Sequence, residues 1–312
     1  MIKPKIVVTG AAGFIGSTLV DQLAADSSNR VVAVDCFLPD SYSAESKRLN
    51  IESFSKRKNV EFHQIDLRRN YDASIFDGAN CLINEAAMPG LVKSWNDFDL
   101  YMTCNVSAVD RLCKELVRRD IPLIQISTSS VYGATAMGIE DSTLKPTSPY
   151  GISKLAAEKL IDAYATQFGL RYTILRYFSV YGPRQRPDMA YHLICQSILR
   201  GEEFIVFGDG TQSRSNTFVS DVVDATIIAS TSSALNEIYN IGGSQEVSLL
   251  EVISIIESAV GKKAIFRHGP VRPGDQLRTM ANIEKIEKNL HWSPRMSLQE
   301  GLERQIHWQR TL

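Results

Sequence analysis

KIVVTGAAGFIG, residues 5–16, joins a β-branched run to a glycine-punctuated turn, and STLVDQLAA continues from it with helical spacing. Strand, tight turn and helix in that order make the first unit of a βαβ fold. The spacing Gly10-x-x-Gly13-x-x-Gly16 is a variant of the fingerprint that cradles a dinucleotide pyrophosphate. Gly10 allows the tight turn, Gly13 lets backbone N–H groups approach the phosphates, and Gly16 lets the helix lie close on the sheet. Phe14 and Ile15 open the helix, whose N-terminus offers positive potential to the same phosphates.

Downstream the alternation repeats. Candidate strands are Lys5–Val8, Arg30–Asp35, Val60–Gln64, Cys81–Glu85, Leu123–Ser127, Tyr172–Tyr177 and Ile238–Ile241. Several are almost continuous apolar runs, which suits parallel strands covered on both faces. Helical patterns span Phe14–Ala25, Cys104–Arg119 and Ser153–Phe168. The expected fold is therefore α/β, a Rossmann-type doubly wound parallel sheet. After Val180, Gly and Pro cluster in GPRQRP, GDG and GPVRPGD, so a smaller C-terminal α/β domain for the substrate is expected. The division expected is 1–178 for the nucleotide-binding domain and 179–312 for the smaller one. Residues 216–243 are expected to return to the first, because EIYNIG reads as one more strand. Ser248-x-x-Glu251 and Ser297-x-x-Glu300 have capping-box spacing and should start two late helices.

The chain has 312 residues, 44% hydrophobic and 22% charged, with 34 Lys and Arg against 35 Asp and Glu. A formal net charge of −1 gives no electrostatic reason for a nucleic-acid or membrane partner, and neither is expected. The N-terminus lacks the pattern of a signal peptide, and no window approaches the roughly 18 apolar residues of a spanning helix. The five cysteines are scattered without a CxxC pair, which fits reduced thiols and a cytoplasmic location. The histidines lack ligand spacing, so no metal is expected.

Asp35 closes the second strand, 19 residues after Gly16. A carboxylate there accepts hydrogen bonds from the adenosine ribose and repels a 2′-phosphate, which favours NAD over NADP. Asp66 and Leu67, after the third strand, fit an adenine contact. Ala86 and Ala87, after the fourth, are small where backbone would pass the cofactor. Tyr150-x-x-x-Lys154 puts a phenol and an ammonium on one helical face. A phenol titrates near pH 10, so bringing it to about 7 needs roughly 4 kcal/mol of differential stabilisation. A neighbouring Lys⁺ and a nicotinamide cation are the expected sources. Thr128 ends the fifth strand, where the C-terminal strand ends face the cofactor, and can share a hydrogen bond with the substrate hydroxyl that Tyr150 deprotonates.

TGAAGFIGS, STSSVYG, SPYGISKLAAE, LRYFSVYGPRQRPDMA and RPGD…NLHWSP resemble, in this order, the extended short-chain dehydrogenase/reductase family, and within it the sugar-nucleotide 4-epimerases. The resemblance covers essentially the whole chain. It implies a tightly held NAD, a Thr128–Tyr150–Lys154 triad, a UDP-sugar substrate and a homodimer built through the helices at 104–119 and 153–168. Asn105 matches a residue that organises the cofactor site. One departure is INEAA at 83–87, where related sequences usually read HLAA. Glu85 is unusual there and is expected to lie outside the chemistry.

The resemblance also separates reactions. Related dehydratases carry Asp-Glu directly after the catalytic Thr, and decarboxylases a Glu; this chain reads Thr128-Ser129-Ser130. Without an acid/base pair for C5, a 4-ketose can only be reduced again. A net reductase that releases its reduced cofactor and a non-enzymatic NAD sensor are the rival classes. Ser179 stands where neutral-hexose epimerases usually carry Asn, and Arg186, with Arg184 as the lesser candidate, could pair bidentately with a C6 carboxylate. The expectation is UDP-glucuronate 4-epimerisation, with UDP-glucose/UDP-galactose as the alternative. Arg214 and Arg272 match diphosphate clamps, Phe207 and Gly208 the uracil-lining stretch, and Asp275 a ribose contact.

Overall fold

A computed structural model describes residues 3–38, 43–233 and 235–312. Seven strands form one parallel sheet: β1 (Lys5–Thr9), β2 (Arg30–Asp35), β3 (Val60–Gln64), β4 (Cys81–Asn84), β5 (Leu123–Thr128), β6 (Tyr172–Tyr177) and β7 (Glu237–Ile241). Their order across the sheet is β7-β6-β5-β4-β1-β2-β3. The order reverses between β1 and β4, and a ligand crevice forms outside the strand C-termini at such a switch point. Val7, Val8, Val31, Val32, Leu82, Ile83, Leu123 and Ile124 are buried on both faces, as the apolar runs required.

Helix α1 (Phe14–Ala25) has Gly13 as its N-cap and no side chain capping it, so its first-turn N–H groups remain to meet a ligand. A Cβ on Gly16 would lie 2.2 Å from the Gly10 carbonyl oxygen, and one on Gly10, at φ +67°, would lie 2.7 Å from the Ala86 nitrogen. The helix expected over 104–119 is α2 (Ala108–Arg119), preceded by a π-helical turn at Thr103–Ser107. The helix expected from Ser153 begins earlier: α3 spans Pro149–Phe168, with Pro149 in the first turn, the Ser148 hydroxyl accepting from Gly151 N–H, and Gly169 closing it in the left-handed conformation. β7 pairs with β6 in parallel register.

The rest of the C-terminal part holds two small sheets. Ser213–Phe218 pairs with Glu246–Ser248, Arg278–Thr279 and Ser179–Tyr181, while Ile265–Gly269 pairs with Glu203–Phe207. Ser248 and Glu251 form a complete capping box. Ser297 caps Glu300 N–H, but the Glu300 carboxylate turns to Arg304 at 2.7 Å, so the second motif is a simple N-cap.

Candidate active site

A cleft of about 410 Å³ opens along the C-terminal edge of the sheet. At one end lie Gly10, Gly13, Phe14, Ile15 and Gly16; Asp35, Asp66 and Leu67 line it farther along; Ala86 and Ala87 form its floor. Asp35 is fixed by its backbone neighbours, accepting from Ala12 N–H at 3.1 Å and Phe37 N–H at 2.7 Å, with Lys47 Nζ 3.8 Å away. Asp66 takes a bidentate grip from Arg68, which holds its carboxyl below the usual range against the cost of burial. Ala86 N–H donates to Thr9 Oγ1 at 3.3 Å, which sets the strand end against the glycine turn.

Asn105 does not line the cleft. It sits buried in the π-helical turn, accepts from Met88 N–H at 2.7 Å, and donates to Met88 O and to Ser153 Oγ, both at 3.0 Å. It pins the segment after β4 to helix α3 from beneath.

Thr128, Ser129, Ser130, Tyr150, Lys154, Ser179, Arg186 and Arg214 line the other half of the cleft. The Thr128 hydroxyl donates to Ser130 Oγ at 3.3 Å and accepts from Ser130 N–H at 3.2 Å, and it stands near enough to the Tyr150 phenol to act on it. Burial is the strongest influence on that phenol and pushes it above its ordinary range; the nearby Thr128 hydroxyl and the Arg186 charge pull it down, and Glu85 pushes it up. The Lys154 ammonium donates to the carbonyl of Ile126 in β5, and among the protein's groups Thr128 and Arg186 exert the downward pull. Burial lowers Lys154 to about 8, opposed by the charges of Glu85 and Glu158.

Arg186 stands beside Tyr150, but its Nε and Nη2 are held by Asp188 at 3.0 and 2.9 Å. Arg184 is directed elsewhere, to Asp21 on α1 at 2.8 Å. Ser129 and Ser130 are buried with no carboxylate at those positions; Ser129 Oγ donates to Gln276. Arg214 bonds the carbonyls of Ser213 and Gln276. Phe207, Gly208, Arg272 and Asp275 are not in the cleft wall. Arg272 Cζ lies 4.4 Å over the Phe207 ring and its Nε 2.9 Å from Asp275, and the charges of both Arg272 and Asp275 are felt by Arg214. These four therefore make a second cluster adjoining the Arg214 end.

Sequence reasoning missed Gln276, Tyr177, Lys47, Arg68 and Glu85, all of which line the cleft. Glu85 corrects an explicit expectation: it leaves the ladder one residue past β4, accepts from Tyr177 Oη at 3.0 Å, and faces Lys154 and Tyr150. Its NEAA context was the available signal, a carboxylate next to the paired alanines.

A glycine turn on the first strand of a β3-β2-β1-β4 sheet, with Tyr, Lys and Thr facing one crevice, defines a short-chain dehydrogenase/reductase that binds a dinucleotide. A profile of the NAD dependent epimerase/dehydratase family matches residues 6–242, and the chain belongs to that family. It is 39% identical over 307 residues to a Bacillus subtilis (strain 168) protein described as an uncharacterized UDP-glucose epimerase, YtcB, covering 97% of this chain and 96% of that one. It is 34% identical to a UDP-glucuronate 4-epimerase of Thermodesulfobacterium geofontis, covering 97% and 95%. The crystal structure of a Bacillus cereus UDP-glucuronic acid 4-epimerase in complex with UDP-glucuronic acid and NAD superposes with a TM-score of 0.95 at 37% identity, covering 98% of this chain and 99% of the other.

Proposed function

We propose that this protein is an NAD-dependent isomerase that inverts C4 of a UDP-sugar through a transient 4-ketose, with UDP-glucuronate/UDP-galacturonate as its substrate pair. The observation that carries it is the Thr128–Tyr150 pair with Arg186 beside it, in a crevice whose other end is the glycine turn and whose Ser129–Ser130 step holds no second acid.

The uncapped first turn of α1, which can sit tight against the Gly10 turn and the Ala86 backbone because Gly10 and Gly16 carry no Cβ, suits a pyrophosphate, and Asp35 and Asp66 suit the adenosine. NAD held there would supply the hydride acceptor and donor for C4. Tyr150 accepts the 4-hydroxyl proton and gives it back, with Thr128 holding the oxygen between them. Lys154, anchored on Ile126 O, supplies positive charge to the same pocket. Arg214 meets the diphosphate from the second domain, with Arg272 and Asp275 behind it and Phe207 and Gly208 toward the base. Ser179 leaves room beside the sugar, and the guanidinium of Arg186 attracts the C6 carboxylate. Holding that carboxylate also restrains a β-keto acid from losing CO₂.

A second reading, UDP-glucose/UDP-galactose epimerisation, is favoured by one observation: Asp188 already occupies the fork of Arg186. Incubation with each UDP-sugar separately, without added reductant, followed by NMR of C4 configuration, decides between them. Tyr150→Phe should lower turnover by about 10²–10⁴-fold while circular dichroism stays unchanged. Arg186→Ala should hurt the uronate reaction far more than the neutral one; equal losses would remove the carboxylate assignment. The five unpaired cysteines support a cytoplasmic setting, and the chain is proposed to act as a homodimer.

A further inference from the structure

Glu85 is a half-buried titratable group that the reaction as drawn does not use. It sits at the end of β4, on the wall of the cleft, and its Oε1 accepts from Tyr177 Oη at 3.0 Å. Tyr177 lies 2.5 Å from Thr226 Oγ1, which donates to Val222 O at 2.8 Å. This chain accommodates both charge states. A carboxylate at Glu85 accepts from Tyr177; a protonated Glu85 donates to Tyr177, which then donates to Thr226. Neither state orphans a donor: when Glu85 is ionised the Thr226 hydroxyl turns from Val222 O to Tyr177 Oη, so the network sheds one hydrogen bond and keeps every donor satisfied.

The charged and titratable groups facing Glu85 are few. From α3 come Lys154 and Tyr150, and Lys154 also feels Glu158 on the same helix. From β6 comes Tyr177, and from the helix Val219–Thr231 only the neutral Thr226. Arg186 also acts on Tyr150 through its charge. Glu158 is already committed to Arg176 at 2.8 Å, with both side chains buried. Glu85 is thus a cleft carboxyl whose charge acts on both members of the Tyr–Lys pair.

We propose that Glu85 is a positioning residue that sets the working pH range of the Tyr150–Lys154 pair: as a carboxylate it holds Lys154 in the ammonium form and delays ionisation of Tyr150, and as a neutral acid it does neither. The assignment rests on the epimerase reading above. Burial raises Glu85 to about 7, opposed by the Tyr177 hydrogen bond and the Lys154 charge, so the switch falls at neutral pH. Its charge raises both partners, so the three groups titrate as one coupled system.

In protein carrying ¹³C at the glutamate carboxyls, one resonance should titrate near neutral pH and be lost in Glu85→Gln. If every glutamate titrates in the ordinary acid range, the proposal fails, whether or not the variant folds. In the NAD-loaded holoenzyme, Glu85→Gln should lower the midpoint of Tyr150 phenolate absorbance, read as the difference from matching Tyr150→Phe protein, by about one pH unit. Both limbs of the pH profile of kcat/KM should move to lower pH together, with the optimum rate kept within a few-fold, and Glu85→Asp should restore part of the shift. A uniform rate loss with unmoved limbs would reduce Glu85 to packing. If Tyr150→Phe is dead and the Glu85→Gln titration superposes on that of the parent, only this assignment falls; if Tyr150→Phe still turns over, the epimerase reading falls with it.

Discussion

Asp35 illustrates how little of a side chain's role lies in its identity alone. Any strand-end carboxylate could accept from a ribose, but this one is pre-aimed by Ala12 and Phe37 N–H groups and has Lys47 3.8 Å away. A carboxylate placed there would repel a 2′-phosphate, and the ammonium 3.8 Å from it would welcome one. Asp35→Ser should therefore weaken NAD and narrow the preference over NADP, by on the order of tenfold each, because removal of the anion leaves the cation facing the phosphate. Calorimetric titration with both dinucleotides checks this; an unchanged NAD:NADP ratio would show that the discrimination lies elsewhere. Arg186 teaches the complementary lesson. Its type and spacing were legible in GPRQRPDM, whereas its engagement with Asp188 was not, because the partner depends on the turn that carries both.

Between elements, helix α3, which carries Tyr150 and Lys154, is tied to the sheet by a buried ion pair. Glu158 on α3 receives Arg176 Nε and Nη2 from β6 at 3.1 and 2.8 Å, and Ser127 on β5 also donates to it. Arg176 Nη1 continues to Tyr132 Oη and Glu140 O, both at 2.8 Å, so four of its five N–H donors are used. Removing one partner strands the other charge in the core. Arg176→Met should cost about 3–5 kcal/mol in urea unfolding, and adding Glu158→Gln should recover part of it. Additive losses in the double variant would show that the two residues do not depend on each other. The π-helical turn at Thr103–Ser107 acts similarly on a smaller scale, because the displaced backbone lets Asn105 reach both Met88 and Ser153.

At the scale of the whole molecule, the apolar stripes expected to make a dimer are partly spent within the chain. Leu112, Leu116 and Ile161 are fully buried against the sheet. Val92, Trp95, Phe98 and Ile152, by contrast, remain between 41% and 52% exposed, and all of them lie on or before helix α3. Light scattering should give a mass near twice the 34.7 kDa chain, reduced toward one chain by Trp95→Glu; a monomer at micromolar concentration would remove the dimer from the reading.

The fold was readable from the chain because its signals are local. A glycine turn between a β-branched run and an amphipathic helix obeys short-range sterics, and buried parallel strands must be apolar on both faces. The same local character exposed Tyr150 and Lys154, four residues apart on one helix, and Thr128 at a strand end. Tertiary structure alone decided what those groups meet. Glu85, Tyr177 and Gln276 come from a strand end, another strand and a distant loop, and the fold gathers them at one crevice. It also set the balance at Tyr150, where burial outweighs neighbouring charge, because desolvation depends on every atom around a group and leaves no pattern in the sequence.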